Sequence, residues 1–283
     1  MSQWSSNSVE VNGARLHYHR TGGEKPQIML LHGFSDYGLC WKRVAIDLAG
    51  SYDVIMPDAR GHGLSAAIRS GETLDMAGDV AGLIQALGLE RPVLMGHSLG
   101  AFISLVFSAQ YPQRVDRLIL VDGGGKLSET QMAKVFVGIK PSLDRLGQIF
   151  PSFEGYILLM KQAPFLQPWN SYMETYFHYE VEEVEGGIRS RVHPKHIEEE
   201  AQNLGKVDSR QFYAKVTSPT LILRATKGML AEDDLVLPED VADRMTREIP
   251  NARKVDFEGT NHYSILFQPN KKRDQTILKF LDE

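Results

Sequence analysis

The chain has 283 residues, of which 24% are charged and 42% hydrophobic, with a formal net charge of -5 at pH 7. That length supports one large domain or two small ones around a thick apolar core, and the net acidity offers no footing for nucleic acid. Cys40 is the single cysteine, so a disulfide within the chain is excluded, and a buried structural thiol beside Trp41 is the simpler reading.

Residues 1–7 carry neither the basic nor the apolar stretch of a secretion signal. No apolar run approaches the ~20 residues of a membrane span. A cytoplasmic protein is the expectation. Residues 9–20 read as two short strands around Asn12-Gly13, a favoured hairpin pair. Residues 27–31 and 52–57 are continuous apolar runs, as for strands buried on both faces, with a helix over 41–49 between them. Helical spacing over 74–87 stops at Gly88, and a strand at 92–95 is followed by a helix over 101–111 and a strand over 118–121. The alternation resumes late, with strands at 220–224 and 252–257 and helices at 238–249 and 274–281. The basic cluster Lys271-Lys272-Arg273 decorates the start of the last helix. Such alternation calls for a mostly parallel sheet, here of about eight strands, with helices on both faces.

Between Gly125 and about Val216 the alternation breaks down, and aromatic residues gather with acidic runs such as Glu182-Glu183 and Glu198-Glu199-Glu200. This stretch is expected to be a mainly helical insertion over the C-terminal edge of the sheet. Its aromatics would form a small core of their own, and its glutamates would be solvated helix faces. Phe136, Phe153, Trp169 and Tyr172 are the candidates to line a substrate pocket.

The chemistry concentrates at Gly96-His97-Ser98-Leu99-Gly100, between an apolar strand and a helix. Gly-x-Ser-x-Gly in that context marks a nucleophile elbow, a tight turn that lifts a serine hydroxyl out of the backbone. Four segments in order, Leu31-His32-Gly33-Phe34, Asp58 through Ser65, the elbow, and Gly259-Thr260-Asn261-His262, resemble the motifs of α/β-hydrolase-fold serine hydrolases with a helical cap. The resemblance covers nearly the whole chain. It implies a core of residues 1–125 and 217–283, a cap of residues 126–216, and an esterase-like acyl transfer with no cofactor and no metal. Ser98 would be the nucleophile and His262 its base, with the backbone N–H groups of Phe34 and Leu99 as the oxyanion hole. His32 and His97 would pack or hydrogen-bond near the site, and Asp58, Arg60 and His62 would tie down a structural turn. His193 and His196 have a metal-like spacing without companion cysteines, so a helix surface is expected for them.

The third triad member departs from the common pattern. Many relatives carry aspartate a few residues after the strand matching 220–224, where this chain has Gly228. The acid is then Asp122, directly after the strand that follows the elbow helix, or a displaced Asp234 or Asp233. The leading functional expectation is a carboxylesterase for a small or medium, fairly apolar ester. C–C bond, amide or perhydrolase chemistry on the same triad stays open, as does a non-catalytic ligand-binding or receptor-like member of the fold. The partner is expected to be a small-molecule substrate; oligomeric state has no sequence signal.

Overall fold

Asn12 and Gly13 both take left-handed backbone angles (φ 48° and 75°) and reverse the chain between β1 (Ser5–Val11) and β2 (Ala14–Arg20). The computed structural model describes residues 4–66 and 75–283. Leu74, where the expected second helix starts, and residues 1–3 of the expected leaderless terminus lie outside that set. β1 begins at Ser5 rather than at Val9, because pairing with β2 (Ser5 opposite Arg20) recruits polar residues that have no strand signature of their own.

β3 (Gln27–Leu31) and β4 (Asp53–Pro57) flank α1 (Lys42–Leu48), which is entered through a 3-10 turn at Gly38–Trp41. Then come α2 (Met76–Ala86), with Asp75 capping the Gly78 N–H, β5 (Val93–His97), α3 (Leu99–Gln110) and β6 (Leu118–Val121). The inserted segment holds α4 (Glu129–Asp144), α5 (Phe153–Lys161), α6 (Ser171–Glu180), β7 (Val181–Val184), β8 (Gly187–Ser190), α7 (Pro194–Gly205) and α8 (Arg210–Tyr213). β9 (Thr220–Ala225), α9 (Glu239–Glu248), β10 (Ala252–Phe257), α10 (Ser264–Phe267) and α11 (Lys271–Leu281) complete the chain.

Eight strands form one sheet in the order β1-β2-β4-β3-β5-β6-β9-β10, antiparallel through β1, β2 and β4 and parallel from β4 onward. Side chains alternate across it. Ile28 and Leu30 enter a core with Trp41 and Phe257, whereas Met29 and Leu31 enter the opposite one with Ile84 and Phe107. Both faces are covered, which is why the central strands read as unbroken apolar runs. The register sets Gly96 beside Leu120 and Val121 beside Leu223, so the C-terminal ends of β5, β6 and β9 lie side by side. The residues described below lie on the loops leaving the C-terminal ends of β3, β5, β6 and β10.

Three expectations for the inserted segment need correction. Glu182 and Glu183 sit on a strand of the β7–β8 hairpin, not on a helix, with Glu182 paired to Arg189 at 2.9 Å. Glu200 is 1% exposed, so the Glu198–Glu200 run is not a uniformly solvated face. The aromatics Tyr156, Phe165, Tyr176 and Phe177 do not form a separate core; they join the cluster that contains Trp41 and Phe257. Among the described residues no helix is long and apolar enough to cross a membrane.

Candidate active site

β5 runs into Ser98, the single residue between the strand and α3, whose backbone takes φ 55° and ψ -117°. A non-glycine residue there stores about 1–3 kcal/mol of strain, tolerated because the strand and helix on either side over-determine the turn. A Cβ on Gly96 would overlap the Gly100 carbonyl, and one on Gly100 would overlap that of Leu31. Both glycines are therefore steric requirements of the turn. Ser98 sits at the N-terminus of a twelve-residue helix, where the dipole favours negative charge.

Asp122 follows β6 in a left-handed conformation (φ 45°). Its Oδ2 accepts the Nδ1–H of His262 at 2.7 Å, and its Oδ1 accepts the Ala225 N–H at 3.0 Å. Its own N–H donates to the Leu223 carbonyl at 2.8 Å, so the residue is clamped to the end of β9. Gly123 has to be glycine, since a Cβ there would meet the Ser98 carbonyl oxygen at 2.5 Å. His262 is held from its other side by His97, whose Nε2–H donates to the His262 carbonyl at 2.9 Å and whose ring lies 4.3 Å away. Burial, together with His262 beside it, holds His97 well below the usual imidazole range, so it serves as a neutral donor. With Nδ1–H committed to Asp122, Nε2 is the ring nitrogen left for proton transfer.

The other two acids lie elsewhere. Asp234 is buried and accepts the N–H groups of Met229 (2.6 Å), Leu230 (2.8 Å) and Ala231 (3.0 Å), closing a loop on itself. Gly228 belongs to that loop, and a Cβ on it would overlap the Ala231 carbonyl. Asp233 is exposed and paired with Lys134 at 2.5 Å.

Ser98 and His262 face a cavity of about 120 Å³ whose wall includes Phe34 and Leu99. Among the described residues neither the Phe34 nor the Leu99 N–H is engaged by another group. Phe136 lines the cavity, its ring edge-on to Phe34 at 6.0 Å. The other candidate aromatics are not in this wall. Phe153 stacks on His178, Trp169 stacks on Phe177, and Tyr172 lies under Arg43. Much of the wall is instead aliphatic, with Met132, Val135 and Ile139 of α4 facing Leu204 and Val207. Gly123, Gly124 and Gly125, which follow Asp122, also line it.

Asp36 was not singled out by sequence reasoning, yet its buried carboxyl lines the cavity and accepts the Tyr176 hydroxyl at 2.7 Å. Burial pushes its pKa up. Its only sequence signal is its place two residues after Phe34, and a lone acid in a loop has no diagnostic spacing. Sequence reasoning also missed a second hydrogen-bonded series, Ser6 Oγ to His17 Nε2 (2.8 Å) and His17 Nδ1 to Asp58 (3.0 Å). Ser6 is exposed on the edge strand, and none of the three lines the cavity at Ser98.

A family model described as alpha/beta hydrolase fold matches residues 26–269. An uncharacterized protein of Mycobacterium tuberculosis (strain ATCC 25618 / H37Rv) is 40% identical over 116 residues, covering 41% of this chain and 34% of that protein. The chain thus aligns with about a third of the length of such relatives. 2-(Acetamidomethylene)succinate hydrolase of Mesorhizobium japonicum is 26% identical over 269 residues, covering 91% of this chain and 88% of that protein. The crystal structure of E-2-(acetamidomethylene)succinate hydrolase superposes with a TM-score of 0.85 at 24% identity, covering 99% of this chain and all (100%) of the other. That likeness shows a common fold.

Proposed function

Since the chain belongs to the α/β-hydrolase fold family, we propose that it is a serine hydrolase cleaving a carboxylic ester of a small or medium, largely apolar substrate. In this reading residues 126–216 form a cap over a core of residues 1–125 and 217–283. The observation that carries the proposal is the 2.7 Å contact of Asp122 with His262 Nδ1, on a cavity that also contains the strained Ser98.

In this reading the steps are those of a serine triad. His262 Nε2 takes the Ser98 proton as Oγ attacks the carbonyl carbon. The N–H groups of Phe34 and Leu99 receive the oxyanion. Asp122 holds the ring in the productive tautomer and stabilises the imidazolium. His262 then protonates the leaving alkoxide, and water deacylates Ser98 by the same steps in reverse. The aliphatic wall from α4 favours an apolar acyl or alkyl group. Amide substrates are the second reading, supported by the match over most of the chain to a hydrolase whose name specifies an acetamido compound.

The test is intact-mass analysis after exposure to a fluorophosphonate, followed by peptide mapping. One adduct is expected, on the peptide containing Ser98, and Ser98→Ala should abolish both it and ester turnover. An unlabelled but folded wild type would favour the non-catalytic binding reading. A label mapped to Ser6 would move attention to the His17–Asp58 series.

A further inference from the structure

Glu200 stands apart from the acidic residues around it. It lies on α7 yet is buried, and among the described residues neither carboxylate oxygen has a hydrogen-bond partner. Facing it at 3.6 Å is Nε2 of His62, a side chain that is likewise fully buried. Among the described residues His62 meets only acceptors. Its Nδ1 lies 3.1 Å from the Arg60 carbonyl and its Nε2 3.0 Å from the Phe34 carbonyl. A carbonyl oxygen cannot donate, so the ring satisfies both contacts as hydrogen bonds only when both nitrogens carry hydrogen, as in an imidazolium. A buried cation needs a counter-charge, and Glu200 is the carboxylate next to it.

We propose that Glu200 and His62 are a positioning pair for the oxyanion-hole loop: Glu200 keeps His62 doubly protonated, and His62 holds the Phe34 carbonyl so that the Phe34 N–H stays in the cavity wall. The positioning role rests on the hydrolase reading above; the ion pair itself does not. The same contact docks α7. His196, one helical turn before Glu200, donates from Nδ1 to the Gly61 carbonyl at 3.2 Å, and Leu204 and Gly205 at the end of that helix line the cavity. One pair of charges thus ties together the oxyanion loop, the turn at residues 58–65 and a wall of the pocket.

The ionisation states agree with the geometry. Burial by itself lowers His62, but Glu200 and the carbonyls of Phe34 and Arg60 outweigh it and raise the ring above an ordinary histidine. Burial lifts Glu200 to about 7, against the pull of His62. Among the described residues, the other titratable and charged groups near the pair include Asp58, which also raises His62, the histidines 32 and 196, both lowered by burial, and the ion-paired Arg60 and Asp79, which line the same small cavity as Glu200. The stabilisation from His62 is complete below the ordinary histidine range and is lost as pH rises through its raised pKa. On the acid side Glu200 takes a proton while both carbonyls keep their donors. On the alkaline side one carbonyl loses its donor and Glu200 becomes an unpaired buried charge. The loop is released there.

Nitrogen-15 NMR of the histidines in the full chain reads this without any substrate. His62 is expected to show two protonated nitrogens near neutral pH, with a titration midpoint about one pH unit or more lower in Glu200→Gln. Glu200→Asp, which keeps the charge but withdraws it, should move the midpoint part of the way. In ester turnover the alkaline limb of kcat should fall by the same shift in Glu200→Gln, with little change in KM. A neutral His62 at pH 6, a midpoint that neither variant moves, or an alkaline limb that ignores the NMR midpoint would each overturn the proposal. Failure of Ser98 labelling, by contrast, bears on the hydrolase reading alone and leaves the NMR midpoints to decide the ion pair.

Discussion

Asp122 divides its carboxylate between two partners, His262 Nδ1 and the Ala225 N–H. An asparagine there can still serve Ala225, but its amide turned toward the ring would favour the tautomer with Nδ1 bare and Nε2 protonated. Asp122→Asn should therefore lower kcat by about 10⁴-fold, the size of the same change in a well-known serine protease triad. Asp234→Asn should leave kcat close to wild type. It weakens a carboxylate that receives three backbone N–H groups, so unfolding in denaturant should show a loss of about 1–3 kcal/mol. The opposite ranking in steady-state kinetics would transfer the acid's role to the later loop. Cys40 is a core residue: burial pushes its thiol well above the usual range, and it packs with Trp41.

At the scale of elements, the elbow depends on how closely α3 approaches β3. Gly100→Ala drives a methyl group into the Leu31 carbonyl, and the helix and strand must part. A destabilisation of about 1–3 kcal/mol is expected, seen in calorimetry as a lower Tm. Gly228→Asp supplies an acid where many relatives of this fold have one, yet it should not raise kcat. Its Cβ would overlap the Ala231 carbonyl and open the loop that Asp234 closes. The same scale explains what was legible in the chain. β3, β5, β6 and β9 are buried on both faces, and such burial leaves a continuous apolar signature. The start of β1 and the β7–β8 hairpin carry serines and glutamates, so nothing local announced them.

For the whole molecule, the inserted segment is fastened by a buried ion pair. Arg145 Nη2 lies 2.6 Å from Glu180 Oε1, and Tyr156 and Ser190 donate to the same carboxylate at 2.6 and 2.8 Å. Arg145 also reaches the Ser35 carbonyl at 3.3 Å, next to Phe34. Glu180→Ala would leave that guanidinium buried without a counter-charge. A loss of about 3–5 kcal/mol in denaturant unfolding is expected. A fall in kcat should accompany it, because the loop bearing Phe34 loses one of its supports.

The sequence by itself determined the alternation of strands and helices, the elbow at Ser98, and the order in which the motif-bearing loops follow one another. Periodicity and glycine placement are local properties, written within a dozen residues. It left Asp122, Asp233 and Asp234 as rival acids, and it offered three adjacent glutamates at 198–200 as equals. Only the tertiary structure gives them different surroundings. The β6–β9 and β9–β10 registers bring Asp122 to His262, 140 residues away in the chain, while Asp234 is consumed by its own loop. Packing of α7 against the core buries Glu200 beside His62 and leaves Glu198 in solvent. Which polar groups meet depends on how elements pack across the fold, and local spacing in a chain does not encode that distance.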